Sequence, residues 1–307
     1  MQTLIFHMHG LGDMIMFLPT FNCLPNKKKS IDLLVFENTS ASPLIKSKKI
    51  RNIYYCDSNY FKLFKNLLFL FFKKFENIYF SHNFSPFKST MISYFLKGKK
   101  VFIISEKKIY LKPYNVEIIY VKKNLHKVYR NLSMLNQIKK TKIKLDTSLH
   151  FKKIDGLKNT KRKKSLSIGI HPGSNIKNGD KRWNIEKYFE LIKFFQKRNI
   201  QIYIFIGEYE KELLKEFDIK LKNVNIIYKK SFDHVANLIS KLDLFVSNET
   251  GLAHLSTSLG IKTLIIINKK NEKQKTKISL PITNSIFIES TNDKKDLKKI
   301  FYYLKKN

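Results

Sequence analysis

Residues 244–260 read LFVSNETGLAHLSTSLG. An apolar run ends in Ser247-Asn248-Glu249-Thr250-Gly251, and a run with helical character follows at once. A chain that leaves a strand, turns at glycine and enters a helix exposes backbone N–H groups that no carbonyl of the helix can satisfy. Such groups suit a phosphate. The stretch therefore predicts one βα unit with an anion site at its turn.

The same alternation extends outward in both directions. Downstream of residue 165, strands are predicted over 166–170, 201–206, 224–227, 244–246 and 263–267. Helices are predicted over 185–197, 208–217, 232–240 and 252–259. Upstream, strands are predicted over 3–7, 31–36, 53–55, 77–80 and 100–104. Helices there fall at 14–18, perturbed near Pro19, and at 43–47, 60–74, 87–97 and 126–137. Short apolar strands alternating with helices point to parallel sheets covered on both faces. Residues 151–165, FKKIDGLKNTKRKKS, are polar and basic with little periodicity, as a linker would be. Two open α/β domains are expected, 1–150 and 166–290. A helix in 291–307 is expected to pack back on the first, and residues 268–280 read as a loop. In open α/β sheets ligands sit beyond the carboxyl ends of the strands.

The chain has 307 residues, with 59 Lys and Arg against 24 Asp and Glu, a formal charge of +35. Such a field favours anionic partners: nucleic acid, lipid headgroups or phosphorylated substrates. The basic residues do not gather in one helix or tail, and no zinc-finger, homeodomain or RRM pattern is present, which argues against nucleic acid. Cys23 and Cys56 form no C-x-x-C unit and do not suggest a disulfide framework. The opening MQTLIFHMHGLGD lacks a basic n-region, so no signal peptide is expected. Leu67–Phe72 is apolar but too short to span a bilayer. A cytoplasmic protein is expected, peripheral to the inner face of the cytoplasmic membrane.

Four constellations could carry chemistry. In His9-Gly10-Leu11-Gly12-Asp13 the glycines allow a tight turn or a close approach to ligand, but the G-x-G-x-x-G fingerprint is absent. Asp13 falls at or just inside a helix start. It reads either as an N-cap carboxylate or as a general base, ionised at neutral pH. In His171-Pro172-Gly173-Ser174, followed by Asp180-Lys181-Arg182-Trp183, a strand delivers a Gly/Ser turn and then a cation. Backbone N–H groups, Ser174 and Lys181 together suit a diphosphate, although Lys181 also reads as one surface lysine among many. Trp183 reads as packing. Glu208 and Glu210 follow a strand end at Gly207, where a carboxylate can bond ribose hydroxyls or serve as ordinary first-turn acid. Glu249, Thr250, Gly251 and His254 form the fourth set. There His254 reads as a phosphate or loop contact, or as a half-buried histidine. His7 and His9 alternate along one strand edge without enough companions for a metal site. No Walker or G-x-S-x-G motif is present.

Taken in order, Gly12-Asp13 with Pro19, His171-Pro172-Gly173-Ser174, Lys181-Arg182-Trp183, Gly207–Glu210, and Glu249-Thr250-Gly251 with His254 and Gly260 resemble the family-9 glycosyltransferases, the lipopolysaccharide heptosyltransferases. The resemblance runs from residue 3 to about residue 267. It implies a GT-B fold, two Rossmann-like domains with parallel sheets facing across a cleft. The first would bind a lipid-linked, phosphorylated inner-core saccharide, and the second the donor ADP-L-glycero-D-manno-heptose. The donor would be a co-substrate; no bound cofactor or metal is implied, and the transfer would be inverting. By the same resemblance, Asp13 would deprotonate the acceptor hydroxyl. Lys181, Ser174 and the Thr250-Gly251 amides would hold the diphosphate, and Glu210 or Glu208 the ribose. The basic surface would then meet an anionic membrane. Glu249 departs from the pattern, which has Asp at its place, and so bears on donor identity. Two alternatives remain: a GT-B enzyme using a UDP-hexose, and a nucleic-acid binder driven by charge.

Overall fold

The computed structural model describes residues 2–25, 27–36, 41–56, 60–82, 84–139, 166–174, 182–217, 223–268, 277–282 and 284–290, with 298, 300 and 302. The chain divides into two compact units, Met1–Thr147 with Lys277–Ser279, and Ser148–Thr276 with Leu280–Asn307. The expected linker at 151–165 lies outside the described residues. So does most of the expected C-terminal helix, although Ile300 is fully buried in the core of the second unit.

In the first unit six strands form one sheet: β1 (Thr3–His7), β2 (Ile31–Val35), β3 (Ile50–Tyr55), β4 (Lys74–Phe80), β5 (Lys97–Ser105) and β6 (Val116–Tyr120). Their spatial order is β3-β2-β1-β4-β5-β6 and every pair is parallel. The apolar run Leu4-Ile5-Phe6 lies at the centre with no exposure, and β2 is buried along its whole length. A central parallel strand has no solvent face, so both runs are apolar except for Asp32, whose buried carboxylate is paired with Arg51. The helices are α1 (Leu11–Cys23), α2 (Tyr60–Phe71), α3 (Pro86–Phe95) and α4 (Lys127–Lys139). Helix α1 runs through Pro19 instead of being broken there; Met14–Phe21 are all buried, so packing overrides the loss of one backbone donor.

The second sheet contains β7 (Ser167–His171), β8 (Gln201–Ile206), β9 (Val224–Tyr228), β10 (Leu244–Asn248), β11 (Thr263–Asn268) and β12 (Ser285–Ser290). Its order is β12-β11-β10-β7-β8-β9, again all parallel. Its helices are α5 (Ile185–Gln196), α6 (Leu213–Phe217), α7 (Phe232–Ile239) and α8 (Gly251–Ser258). The helix expected over 208–217 is instead a 3-10 turn, Glu208–Glu210, followed by the short α6. Read from β9, the second sheet repeats the order of the first. Both are doubly wound, and each reverses direction once: between β1 and β4, and between β7 and β10. At such a reversal the loops on the two sides diverge and leave a crevice at the carboxyl edge, where ligands bind. The edge strands β6 and β12 were not anticipated from sequence.

Candidate active site

The reversal point of the first sheet collects the end of β1, the start of α1 and the residues after β4. Gly10 occupies the N-cap of α1 in extended conformation, so the capping reading of Asp13 falls. Asp13 stands in the first helical turn, and its Oδ1 lies 2.9 Å from Lys127 Nζ. Lys127 begins α4, and the rest of that helix holds it there. Arg130, buried one turn on, donates to the carbonyl of Leu125 at 2.7 Å, to that of Lys123, and to Glu106 at 2.5 Å. Burial alone would raise the pKa of Asp13. Lys127 outweighs it, with a smaller contribution from His82, and the carboxyl is held at about 2. It is therefore an anion at every pH at which the protein would work.

His82, just beyond β4, has a fully buried side chain and places Nε2 3.7 Å from Asp13 Oδ1. Asn131 Oδ1, also on α4, accepts the His82 backbone N–H at 3.1 Å and lies 3.2 Å from Nδ1. An amide oxygen only accepts, so Nδ1 carries the proton. Burial lowers the pKa of His82 to about 3, leaving the ring neutral. Nε2 is then a bare lone pair beside the carboxylate, with no hydrogen-bond partner among the described residues. Lys127, Arg130 and Asn131 share one helical face by their spacing. Sequence reading singled out none of the three. Each is one polar residue in a polar helix, and only the docking of α4 on α1 brings Lys127 to Asp13 and Asn131 to His82. His82 carried one legible signal, its place just beyond a strand end. His7, at the end of β1, is wholly buried and driven to about 3 by that burial, so it too is neutral.

The second reversal point joins three of the motifs through one side chain. Asn248 ends β10 with no solvent exposure. Its Nδ2 donates to the carbonyls of Pro172 at 2.8 Å and Gly173 at 3.1 Å. Its Oδ1 accepts from the Trp183 backbone N–H and from Tyr188 Oη, each at 3.0 Å. All four of its hydrogen-bonding positions are thus used. The turn after β7, the segment entering α5 and the turn after β10 are fixed to one another. Trp183 is buried and meets the Tyr188 ring edge-on at 5.0 Å, as packing predicts. Arg182 Nη2 adds a bond to the Ser174 carbonyl at 3.0 Å. Lys181 lies outside the described residues.

Helix α8 opens at Gly251 with Thr250 as an N-cap in extended conformation. Thr250 makes no side-chain capping bond; its Oγ1 lies 3.1 Å from Ser247 Oγ. No side-chain capping bond from Thr250 occupies the first-turn N–H groups of α8, which suit an anionic acceptor. Ser174 and His254 are buried, and Glu249 is half-buried just ahead of the cap. The two candidate ribose carboxylates differ sharply. Glu208 has 62% of its side chain exposed, with Lys229 Nζ at 3.5 Å. Glu210 is buried, accepts the Gly207 backbone N–H at 2.9 Å and sits 3.7 Å from His171 Nε2. His171 in turn shares its Nδ1 proton with the Phe205 carbonyl at 2.8 Å.

A β-carbon on Gly173 would collide with the Glu210 carboxylate. Gly173→Ala should therefore cost about 1–3 kcal/mol, the usual range for overpacking a filled site. The penalty should shrink when Glu210 is also Ala. Urea unfolding of the single and double variants checks this, and equal penalties in both backgrounds would exclude the contact as the cause.

The family model described as Glycosyltransferase family 9 (heptosyltransferase) matches residues 78–301. The chain belongs to glycosyltransferase family 9. Among curated relatives of this family 9 chain is lipooligosaccharide heptosyltransferase 2 of Campylobacter jejuni subsp. jejuni serotype O:2. It is 28% identical over 265 residues, which cover 83% of this chain and 77% of that protein. The serotype O:6 protein of the same name is 31% identical over 190 residues, 59% of this chain and 55% of that one. Among solved structures, E. coli heptosyltransferase WaaC with ADP-2-deoxy-2-fluoro heptose superposes with a TM-score of 0.76 at 17% identity over the full length of both chains. E. coli ADP-heptose lps heptosyltransferase II gives 0.71 at 15% identity, covering 99% of this chain and all of that one. At such identities the likeness is one of fold, the GT-B fold expected from the motifs. As a family 9 member the chain is a glycosyltransferase, and both of its reversal points carry polar groups that the fold alone does not require.

Proposed function

We propose that this chain is an inverting heptosyltransferase that moves a heptose from ADP-L-glycero-D-manno-heptose to the inner core of a lipopolysaccharide or lipooligosaccharide without a bound metal. The observation that carries the reading is Asp13, a carboxylate kept ionised by Lys127 at the reversal point of the first sheet. The family and its curated relatives supply the sugar class. In the reaction the acceptor hydroxyl oxygen attacks the anomeric carbon. The bond from that carbon to the diphosphate oxygen breaks, ADP leaves with the electron pair, and the hydroxyl proton passes to Asp13. A carboxylate of low basicity suffices, because the hydroxyl becomes acidic only as its oxygen bonds to carbon.

The leaving diphosphate gathers negative charge, which fixed dipoles and cations stabilise best when already in place. The first-turn N–H groups of α8 at Thr250-Gly251, with Ser174 and Lys181, are assigned to that charge. His254 and Glu249 are assigned to the shape of the same turn. Of the two ribose candidates, Glu208 has the accessible carboxylate, and Glu210 braces the turn beneath Gly173. Among the described residues no helix is long and apolar enough to cross a membrane. In this reading the enzyme works in the cytoplasm and meets a lipid-linked acceptor at the inner face of the membrane.

Transfer assayed on a core-truncated acceptor with ADP-heptose and, separately, with UDP-hexoses tests the donor; preference for UDP would overturn the heptose reading. Lys127→Met provides a second check. Without the ammonium, burial is left to raise the Asp13 pKa. The acid limb of the kcat/KM profile should then move to higher pH than in the parent, whose Asp13 carboxyl is held at about 2. Superimposable profiles would remove Asp13 as the base or Lys127 as its partner.

A further inference from the structure

Helices α2 and α3 cover the same face of the first sheet. Leu63, Leu67 and Leu70 of α2, and Ile92 and Leu96 at α3, pack into a single core cluster with Leu4, Phe6, Ile78 and Phe80. With their apolar needs met on the inside, these helices should be polar on the outside. They are not. Phe61, Phe64 and Phe72 at α2 leave 68%, 64% and 73% of their surface exposed. At α3, Phe87, Tyr94 and Phe95 leave 73%, 55% and 66% exposed. Lys97 Nζ, just past α3, lies 5.0 Å from the ring centre of Phe71 at the end of α2, so the two apolar surfaces adjoin. Isolated exposed rings need no explanation, but an adjoining set on neighbouring helices marks a surface with a partner.

The charge around the rings identifies that partner. Helices α2 and α3 carry Lys62, Lys65 and Lys88 and no Asp or Glu, and Lys74 and Lys97 follow them, whereas Lys73, Lys99 and Lys100 nearby are paired with Asp32, Glu76 and Glu117. Lys74 and Lys97 stand opposite each other in register at the starts of β4 and β5. Aromatic rings interleaved with lysines, on helices that carry no acid, match an anionic lipid surface. The rings enter the boundary between headgroup and chain, the lysine stems lie along it, and the ammonium groups stay among the phosphates. A second copy of the chain fits poorly, since it would bring a lysine margin against a lysine margin with no acidic group on either helix to separate them.

We infer that the outer face of α2 and α3 docks this enzyme on anionic lipid, with the exposed phenylalanines as the inserted groups. The purpose of the contact rests on the lipid-linked acceptor proposed above, but binding is measurable without any substrate. The experiment is co-sedimentation of the full chain with vesicles of phosphatidylcholine alone and of phosphatidylcholine with about one third phosphatidylglycerol. The parent should prefer the anionic vesicles by about tenfold or more. Phe61→Ser/Phe64→Ser/Phe72→Ser, on exposed positions, should lose about tenfold of that partition. A companion variant, Lys65→Gln/Lys74→Gln, should lose about fivefold per lysine and flatten the salt dependence.

Transfer to a delipidated, soluble acceptor should be the same in the serine variant and the parent. Loss of soluble transfer in both would strike the catalytic reading and leave the vesicle result standing. Equal partition of serine variant and parent into anionic vesicles would overturn the docking surface. So would a dimer in sedimentation velocity that the serine substitutions dissolve, since the face would then belong to a second copy.

Discussion

Asp13→Asn is expected to slow transfer about 100-fold or more, the usual contribution of a positioned base, while affinity for the nucleotide-sugar stays within about threefold. The substitution keeps the shape of the side chain and removes only its capacity to take a proton. The turn around it does not depend on the charge, because Gly10 caps α1. Lys127 would be left facing a neutral amide, at a cost of about 1–2 kcal/mol in stability, so folding must be checked by circular dichroism. Turnover is read from release of nucleoside diphosphate and affinity from calorimetry. Turnover near that of the parent would assign Asp13 to structure. The same carboxyl has a stability signature of known sign. Its folded pKa of about 2 lies below its unfolded value, so the Asp13–Lys127 pair stabilises above the ordinary carboxylate range. That contribution is lost as pH falls toward 2, and the Asn variant should lack this part of the acid dependence.

The second large effect is expected at Asn248. Its amide answers two carbonyls, one backbone N–H and one phenol in a site with no access to water. Asn248→Ala would leave all four without a partner, and each buried orphan carries a penalty of its own. A loss of about 3–5 kcal/mol in the stability of the second unit is expected. Asn248→Asp should fare no better, since a carboxylate would turn lone pairs toward the Pro172 and Gly173 carbonyls. Trp183 is the chain's single tryptophan and its backbone N–H is one of the four groups, so urea unfolding followed by its emission reads the site directly. Donor affinity should fall together with stability, because the same amide holds the Ser174 turn and the approach to α5 in place. A change under about 1 kcal/mol in either variant would mean that the three segments hold together without it.

The interior of both sheets was legible because strands buried on two faces must be apolar throughout, and Leu4–Phe6 and Leu264–Ile266 leave no other reading. Val116–Tyr120 and Ser285–Ser290 escaped because each is a short edge strand, partly solvated and flanked by polar residues, so the signal that marks a central strand is diluted. Motifs at strand ends were legible for a related reason. Glycines, prolines and scarce acids at such ends are unusual locally, as at His171-Pro172-Gly173 and Gly207–Glu210. Partnership was not legible. Asp13 meets a lysine 114 residues away, and Asn248 meets a carbonyl 76 residues back, and no local pattern records either pairing. The opening stretch had been read for Glu249, Thr250 and Gly251, whereas the residue that organises it is the asparagine before them.

The order of the strands also carries a timetable. Each sheet begins at its centre, grows to one edge, and only then returns to the centre to grow the other way. While the chain is being made, the inner edge of β1 waits for β4 and the inner edge of β7 waits for β10, through about seventy residues of synthesis each time. For that interval an apolar strand offers open hydrogen-bonding groups to any neighbour. Long-range pairing of this kind is slow even in a complete chain. A ribosome paused between residues 171 and 244 would hold the second sheet in this open state, as one paused between residues 7 and 74 would hold the first.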